Sequence, residues 1–284
     1  MTSLVSLWTE VRKRLEEAGV DSPVFDARLL LEAGAGVSRL DIVTDPRREL
    51  TSAQVSNVHA LADRRVAREP VAHIVGLRHF WKQELRVNPD VLIPRPETEH
   101  VVEAALERLP FAEPARVLDL GVGSGAILFA ILSDRPLATG LGVDLSADAL
   151  DVAQANAALL GLGQRVSFVQ SDWDEEIVGQ FDMVVSNPPY IATNEIEQLA
   201  PEVARFEPRL ALDGGADGLN AYRAIIPSLA NLLKPGGAFA LEIGQGQAEA
   251  VMDMSERCGM TDIGVRNDLA GIARVVTGVR PAAT

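Results

Sequence analysis

Four consecutive residues, Asn187, Pro188, Pro189 and Tyr190, directly follow an apolar segment, Phe181–Ser186, and have side chains suited to chemistry. The two prolines fix φ and lack an N–H donor, so the neighbouring backbone carbonyls stay unpaired and point in fixed directions. Asn187 adds a side-chain carbonyl acceptor, and Tyr190 adds a flat aromatic face. This set suits a planar NH2 group, because its two hydrogens meet two acceptors and its π-face meets the ring. An ordinary Pro-Pro turn after a strand is the structural alternative.

The nitrogen of such a group, in an amide or an exocyclic amine, is a poor nucleophile because its lone pair is delocalised. Holding it about 3–3.5 Å from an electrophilic methyl group, with acceptors drawing on its protons, would promote attack through positioning and electrostatics. No strong base is required, since the methylated nitrogen becomes acidic and can lose its proton afterwards. We therefore interpret Asn187, Pro188 and Tyr190 as catalytic residues of a methyl transfer, with Pro189 completing the substrate-binding set.

A second candidate site is the glycine-rich stretch Asp119–Gly125, which precedes the predicted helix Ala126–Leu132. Glycine lets a backbone turn tightly and approach a ligand without interference from a Cβ atom. A tight turn without a ligand is the alternative. The stretch also satisfies the dinucleotide fingerprint G-x-G-x-x-G/A, so the loop alone does not distinguish between cofactors. The residues expected to contact a cofactor here are Gly121, Val122, Gly123, Ser124 and Gly125.

Two further positions at predicted strand ends fit an adenosine-bearing cofactor. Asp144 ends the second strand, nineteen residues after Gly125, where a carboxylate can accept both ribose hydroxyls. Asp172 and Trp173 follow the third strand, where they could bond the adenine amino group and cover a ring. A tryptophan packed over the sheet edge is the alternative there. Nicotinamide and methyl-donor cofactors both carry adenosine, but a dehydrogenase has no use for an N-P-P-Y site, so we expect S-adenosylmethionine.

These motifs need a scaffold that places strand ends side by side, and the chain beyond residue 97 has the required pattern. Apolar strands alternate with helical stretches such as Ala147–Leu160 and Leu219–Leu233, which predicts an α/β fold with a mostly parallel sheet and helices on both faces. Ligands of such sheets bind at the carboxyl ends of the strands. The predicted strands are Arg116–Leu120, Gly140–Asp144, Val166–Gln170, Phe181–Ser186, Ala238–Ile243, Gly264–Asn267 and Arg274–Thr277.

The first 75 residues have the pattern of a small helical bundle. Apolar residues recur at three- and four-residue spacing over 4–15, which predicts the first helix. A second helix is predicted over Asp26–Ala33, and a third is predicted to begin at a capping box, Thr51–Gln54. Residues 76–96 are rich in aromatic and β-branched residues and contain three prolines, which predicts a short hairpin or extended connector.

Composition and charge exclude several other classes of protein. No apolar run approaches the roughly 18 residues of a membrane span, and the N-terminus lacks the features of a signal peptide, so we expect a cytoplasmic protein. One cysteine and four histidines without metal-binding spacing predict no metal site. The net charge is −14; residues 1–75 hold ten basic and eleven acidic residues, which leaves −13 on the remainder. Such acidity opposes nucleic-acid binding, and we interpret the cluster Arg64, Arg65 and Arg68 as a solvated helix face.

Longer segments around these motifs resemble the bacterial release factor glutamine methyltransferases, the HemK/PrmC family. The similarity runs through residues 70–277 in the segments PVAHIVGLRHFWKQELRVNPDVLIPRPETEH, NPPYI, EPRLALDGGADGLNAYR, KPGGAFALEIGQGQ and DLAGIARVV, with a looser match at DARLLLEA. The resemblance implies methylation of N5 of the glutamine in the Gly-Gly-Gln motif of class 1 peptide chain release factors. It thereby implies a role in translation termination and a protein substrate rather than a nucleic acid.

The resemblance also implies a division of the chain and roles for its motifs. A helical N-terminal domain, residues 1–75, would recognise the release factor, and a hairpin, residues 76–96, would connect it to residues 97–284. Residues 97–284 would form a Rossmann-like class I methyltransferase domain with a seven-stranded sheet. The glycine-rich loop, Asp144, Trp173 and Asn187 would contact S-adenosylmethionine, and the N-P-P-Y segment would hold the glutamine amide.

The resemblance extends to other positions and departs from the family pattern at two. Arg95, Glu97 and Thr98 resemble an active-site wall, with a purely structural role as the alternative. Val122 stands where the family often has Thr or Cys, which a loop backbone site tolerates, and Ala273 replaces a usual Asp. An adenine-N6 nucleic-acid methyltransferase and a non-catalytic cofactor-binding protein are the competing interpretations of the whole sequence.

Overall fold

The computed structural model describes residues 2–282, and the chain forms two compact units. The first contains the residues up to 77 and a separate short segment, Ala200–Phe206. The second contains Arg78–Leu199 and the residues from 207 onward. No helix in the described part of the chain is long and apolar enough to cross a membrane.

The first unit is a bundle of helices with one short pair of strands. Its elements are β1 (Thr2–Ser3), α1 (Leu4–Glu17), α2 (Pro23–Ala35), α3 (Arg39–Thr44), β2 (Glu49–Leu50), α4 (Ser52–Val66), α5 (Val71–Val75) and, from the separate segment, α9 (Pro201–Phe206). Helices α1, α2 and α4 pack on one another around a common apolar core. Leu4, Leu7, Val11 and Leu15 are buried on one face of α1, which confirms the helix predicted from their spacing.

Local sequence signals set the ends of these helices and their spacing. Helix α4 starts at the predicted capping box, where Thr51 Oγ1 accepts from the Gln54 N–H at 3.3 Å and Gln54 Oε1 accepts from the Thr51 N–H at 3.0 Å. Helix α2 ends at Gly36 in the left-handed conformation, with φ 64°. Gly34 lies inside α2, where a Cβ would stand 2.9 Å from the backbone of Val58. The missing side chain therefore permits the close approach of α2 and α4.

The arginines at the end of α4 form ion pairs, so the prediction of a solvated face is wrong for two of them. Arg65 is 6 % exposed and pairs with Asp26 at 2.7 Å and with Glu202 at 2.9 Å. Arg68 pairs with the same Glu202 at 2.7 Å. Because Glu202 lies in α9, these bonds fasten the segment 200–206 to the bundle.

A hairpin stands near the start of the second unit, within the stretch predicted as a connector. Its strands are β3 (Leu77–Phe80) and β4 (Gln83–Arg86), which form a two-stranded sheet. Trp81 turns the chain with φ 55°, and its indole N–H donates to Asp134 at 3.0 Å. Lys82 pairs with the same carboxylate at 2.7 Å, so the turn is held by one acidic side chain.

The second unit is built on one seven-stranded sheet, which confirms the predicted α/β fold. Its strands are β5 (Arg116–Leu120), β6 (Thr139–Asp144), β7 (Val166–Gln170), β8 (Phe181–Ser186), β9 (Leu233–Glu242), β10 (Thr261–Asn267) and β11 (Ala273–Val279). Five strands run parallel in the order β9-β8-β5-β6-β7, and β11 and β10 extend the β9 edge as antiparallel strands. The predicted start of β9 at Ala238 is wrong, because the Lys-Pro-Gly-Gly stretch that indicates a turn forms an irregularity inside the strand.

Helices cover both faces of this sheet. They are α6 (Glu99–Arg108), α7 (Ala126–Asp134), α8 (Ala147–Leu159), α10 (Asn220–Leu232) and α11 (Ala248–Arg257). Along β8, Met183 and Val185 join the core that includes α6, α7 and α8, whereas Val184 joins the core that includes α10 and α11. Because both faces of the central strands are covered, their interiors are mostly apolar, with Asp119 of β5 as a buried exception.

Candidate active site

The carboxyl ends of the five parallel strands meet at one edge of the sheet, as the sequence predicts. A cavity of about 340 Å³ opens at this edge. The predicted residues that line it are Gly121, Val122, Gly123, Ser124, Asp144, Asp172, Trp173, Asn187 and Pro189, together with Thr98. Gly125, Pro188 and Tyr190 stand outside the lining. The fold therefore brings both motifs to one cavity, although three of their residues do not face it.

The glycine-rich loop takes its shape from the neighbouring strand. The Gly121 N–H donates to the Val143 carbonyl at 2.8 Å. Gly123 has φ 51°, and a Cβ there would have no described atom within 4 Å. Gly125 differs, because a Cβ there would lie 2.0 Å from the Phe129 ring. The lack of a side chain at Gly123 therefore leaves open space in front of the loop. The lack of one at Gly125 avoids a clash with the Phe129 ring.

Asp144 is held in place by two backbone N–H groups. The Gly123 N–H donates to Oδ2 at 2.9 Å, and the Ser146 N–H donates to Oδ1 at 3.0 Å. Burial raises the pKa of Asp144, and the hydrogen bonds from these N–H groups oppose the rise. Each carboxylate oxygen keeps acceptor capacity beyond these bonds. The group can therefore accept two hydroxyls from one ligand.

Trp173 and Asp172 form the part of the wall that follows β7. The Trp173 ring packs against the apolar core and also lines the cavity. Its Cζ3 lies 4.0 Å from the Cβ position of Gly121, so the ring stands over the glycine-rich loop. Asp172 is exposed and lines the cavity beside the ring. One side of the tryptophan ring packs over the sheet edge, and another side faces the cavity.

Asn156, which no motif in the sequence marks, anchors the glycine-rich loop from α8. Its side chain is fully buried, and Nδ2 donates to the Ser124 carbonyl at 2.9 Å and to the Arg86 carbonyl at 3.0 Å. Its Oδ1 accepts from the Arg86 N–H at 2.8 Å. These bonds join residues 32 and 70 positions apart, so no local pattern reveals them.

Asn187 presents its carbonyl oxygen because its NH2 group is already bonded. Its Nδ2 donates to Thr98 Oγ1 at 3.1 Å. Within residues 2–282, no group donates a hydrogen bond to Asn187 Oδ1 or to the Pro188 carbonyl. Asn187 Oδ1 thus remains available as an acceptor at the cavity, whereas the second unbonded acceptor belongs to Pro188, which is buried and lies outside the lining.

Tyr190 is fixed at its hydroxyl, its carbonyl and its ring. The hydroxyl donates to Glu242 Oε1 at 3.3 Å, and the carbonyl accepts from Gln247 Nε2 at 2.9 Å. The ring lies so close to Gly244 that a Cβ there would stand 3.0 Å from Cδ2. Burial and the nearby Glu242 raise the pKa of Tyr190, so its hydroxyl stays protonated.

Glu242 ends β9 and is only 1 % exposed. Burial raises its pKa to about 7, and the hydroxyls of Thr98 and Tyr190 oppose the rise. Its Oε2 is buried and has no hydrogen bond of ordinary geometry within the described residues. Glu242 has the same sequence signal as Asp144, because each is an acidic residue at the carboxyl end of a buried parallel strand.

The residues predicted to form an active-site wall have different environments. Thr98 lines the cavity and contacts Asn187, whereas Arg95 pairs with the buried Glu207 at 2.7 Å. Burial raises the pKa of Glu207, although the charge of Arg95 opposes the rise. Glu97 is half-buried and stands outside the cavity lining.

The cavity fits an adenosine-bearing methyl donor, because it combines a carboxylate with free acceptor capacity, an open glycine backbone and an aromatic wall. The chain shares its fold with a 16S rRNA methyltransferase from T. thermophilus solved with AdoMet and guanosine. The two are 22 % identical, with a TM-score of 0.53 over 72 % of this chain and 49 % of that one. Residues 100–205 match the family described as Methyltransferase small domain. The protein is an S-adenosylmethionine-dependent methyltransferase.

Sequence relatives narrow this class to one family. Residues 6–76 match the family described as PrmC N-terminal domain. A release factor glutamine methyltransferase from Caulobacter vibrioides is 50 % identical over 279 residues, which cover 98 % of this chain and 96 % of that protein. Another from Rhodospirillum rubrum is 46 % identical over 270 residues, which cover 95 % of this chain and 83 % of that protein. The chain belongs to the release factor glutamine methyltransferase family.

The two departures from the family pattern differ in their structural setting. Val122 is buried in the core beneath the loop, where its Cγ2 would stand 2.9 Å from a Cβ at Gly142. An apolar side chain suits that position. Ala273 pairs with Asn267 across β11 and β10, and nothing in the structure explains its replacement of an Asp.

Proposed function

We propose that the protein transfers a methyl group from S-adenosylmethionine to N5 of the glutamine in the Gly-Gly-Gln motif of class 1 peptide chain release factors, in support of translation termination in the cytoplasm. The orientation of Asn187 carries the proposal, because the bond from its NH2 group to Thr98 leaves Oδ1 as an acceptor. A glutamine side chain ends in the planar NH2 group that needs such acceptors. Both relatives described above are release factor glutamine methyltransferases, which supports this choice of substrate.

The cofactor site is assigned to the glycine-rich loop, Asp144 and Trp173, with Asn187 at its border. Asp144 would accept the ribose hydroxyls, Trp173 would cover the adenine, and Gly123 would let the backbone approach the ligand. When bound, S-adenosylmethionine supplies an electrophilic methyl group.

The acceptor site is assigned to the N-P-P-Y segment. Asn187 Oδ1 and the Pro188 carbonyl would accept the two amide hydrogens, while Pro189 and Tyr190 would enclose the plane of the amide. This arrangement would direct the nitrogen lone pair toward the methyl group at about 3–3.5 Å. As the N–C bond formed, the S–C bond of the sulfonium would break and S-adenosylhomocysteine would leave; the positive charge would pass to the nitrogen, where the two carbonyl dipoles would stabilise it. The nitrogen would then lose one proton to water and become the N-methyl amide.

We assign recognition of the release factor to the helical N-terminal domain, residues 1–75, and catalysis to residues 97–284, with the hairpin of 76–96 as connector. The separate family match over residues 6–76 supports an independent role for the helices. Truncations would test this assignment, since loss of the helices should raise the KM for release factor while leaving S-adenosylmethionine binding intact.

Purified release factor and S-adenosylmethionine labelled in its methyl group provide the direct test of the reaction. We expect label in the release factor, at the Gly-Gly-Gln glutamine by peptide mass spectrometry, and no label when that glutamine is changed to alanine. Absence of transfer at saturating cofactor would refute the proposal.

An adenine-N6 amine presents the same planar NH2 group, so nucleic acid is the alternative acceptor. The net charge of −13 beyond residue 75 opposes it, and so do the ion pairs that occupy Arg65 and Arg68. The same assay with DNA and RNA separates the two functions. Label in nucleic acid together with unmodified release factor would establish the alternative.

A further inference from the structure

The buried carboxyl group of Glu242 has no part in the proposed reaction, yet it touches the residues that hold the acceptor. Its Oε1 accepts from the Tyr190 hydroxyl at 3.3 Å. The Thr98 hydroxyl also interacts with this carboxyl and lowers its pKa against the effect of burial. Thr98 Oγ1 in turn accepts from Asn187 Nδ2 at 3.1 Å. A chain of polar groups therefore runs from Glu242 through Thr98 to Asn187, in which the contact between Glu242 and Thr98 is looser than an ordinary hydrogen bond.

The direction of the hydrogen bonds in this chain depends on the charge of Glu242. An ionised carboxylate only accepts, and a threonine hydroxyl has one proton to donate. When Glu242 is ionised, the Thr98 hydroxyl donates its hydrogen bond to the carboxylate. It can then only accept a hydrogen bond from Asn187. The Asn187 side chain must then turn its NH2 group to Thr98 and its carbonyl oxygen to the acceptor site.

We propose that ionised Glu242 is a positioning residue that fixes the orientation of the Asn187 amide through the Thr98 hydroxyl. This inference rests on the proposed function, because the orientation matters only if Asn187 Oδ1 receives an NH2 group. Protonated Glu242 can donate to Thr98, which frees the Thr98 proton to bond Asn187 Oδ1. The Asn187 amide then turns its NH2 group toward the substrate, where it meets another NH2 group and offers no acceptor.

The orientation should follow pH, because burial raises the pKa of Glu242 to about 7. Four charged or titratable groups face this carboxyl from the elements around it: Glu97 from the turn before α6, Tyr190 from the N-P-P-Y segment, Tyr222 from α10 and Arg274 from β11. Burial also raises the pKa of both tyrosines, so neither changes its charge near neutral pH. Glu242 is ionised above its pKa, and the methyl-transfer step should therefore slow as the pH falls through 7.

Variants of Thr98 and Glu242 test the proposal through the single-turnover rate of methyl transfer to release factor. We expect Thr98→Val to slow this rate about tenfold, the effect of losing one net hydrogen bond, and Thr98→Ser to restore it. The wild-type rate should rise between pH 6 and pH 8.5 with a midpoint near 7. Glu242→Gln should be slow and nearly independent of pH over this range. Thr261→Val, at an exposed threonine of β10, is the control for the substitution itself.

A second readout does not depend on activity. The Thr98 hydroxyl lowers the pKa of Glu242, so the pKa measured by carboxyl 13C NMR should be higher in Thr98→Val than in wild type and in Thr98→Ser. This comparison also tests the proposed role of Glu242 if the Glu242→Gln variant fails to fold. The inference is overturned by a wild-type rate in Thr98→Val, by a slow Thr98→Ser, by an unchanged Glu242 pKa in Thr98→Val, or by a pH profile that persists in Glu242→Gln. A wild-type enzyme inactive on release factor would instead refute the proposed function.

Discussion

In the proposed site, the Asn187 side chain meets the acceptor through one atom, Oδ1, since Thr98 occupies the other end of its amide. We expect Asn187→Ala to lower turnover about 10²–10³-fold, as does loss of one group that stabilises transition-state charge. Affinity for S-adenosylmethionine should change little, because the glycine-rich loop is untouched. Methyl-transfer kinetics and isothermal titration measure the two effects. Asn194→Ala, at an exposed residue of the following loop, is the matched control. Wild-type turnover in Asn187→Ala would contradict the assigned role.

The glycines of the loop have different reasons for lacking a side chain, and substitution separates them. A valine at Gly123 projects into open space before the loop, so we expect Gly123→Val to weaken S-adenosylmethionine binding by about tenfold or more. The left-handed φ of 51° adds a strain of roughly 1–2 kcal/mol. An alanine at Gly125 meets the Phe129 ring, and overpacking of this kind costs about 1–3 kcal/mol or more of unfolding free energy.

Calorimetric titration and thermal unfolding without ligand distinguish these two effects. Gly123→Val should show the larger loss of affinity, and Gly125→Ala the larger loss of thermal stability. The opposite pattern would mean that Gly125, rather than Gly123, faces the ligand.

At the scale of elements, sequence patterns predict buried structure well and irregular structure poorly. Strands β5, β7 and β8 have the predicted bounds, because short segments rich in apolar and β-branched residues, flanked by turn residues, specify them. The pair β1 and β2 was not predicted, since two-residue strands carry no periodicity. The start of β9 was missed because glycine and proline indicate a turn, whereas pairing with β8 continues past them.

The contact between α2 and α4 provides a prediction about packing. Alanine has a helix propensity roughly 1 kcal/mol better than glycine, but a Cβ at Gly34 would stand 2.9 Å from the Val58 backbone. Backbone cannot rotate away, so we expect Gly34→Ala to lower the unfolding free energy by about 1–2 kcal/mol net. Urea unfolding measures the change. Gly163→Ala, where a Cβ would meet no described atom within 4 Å, is the control and should be nearly neutral. A stabilised Gly34→Ala would show that the helices separate without penalty.

At the scale of the whole molecule, the candidate site joins parts of the chain that a single sequence does not connect. The glycine-rich loop, Asp144 and the N-P-P-Y segment could be predicted because each lies at a strand end with a recognisable local pattern. The partners Thr98 and Asn187 are 89 residues apart, and Tyr190 and Glu242 are 52 apart. Such pairs depend on the tertiary fold, so the sequence indicates each residue type without its partner.

The segment 200–206 depends on tertiary structure in the same way, over a greater sequence distance than these two pairs. Its Glu202 accepts from Arg65 and Arg68, which are 137 and 134 residues away. In Glu202→Gln the buried Arg65 keeps, among the residues that the structure describes, only Asp26 as a charged partner. Breaking an ion pair with little exposure costs roughly 3 kcal/mol, so we expect faster hydrogen exchange in both α9 and α4. Asp63→Asn removes the carboxylate of an exposed pair with Arg14 in the same unit and should leave exchange unchanged.

The pH dependence of this effect identifies charge as its cause. Burial alone would raise the pKa of Glu202, but the bonds from Arg68 and Arg65 outweigh it and lower the pKa below the usual 4.5. A lowered pKa means that the stabilisation is present above 4.5 and is lost as the pH falls through the value in the folded protein. Exchange rates of wild type and Glu202→Gln should therefore converge in acid. A difference that persists well below pH 4.5 would attribute the effect to packing of the side chain rather than to its charge.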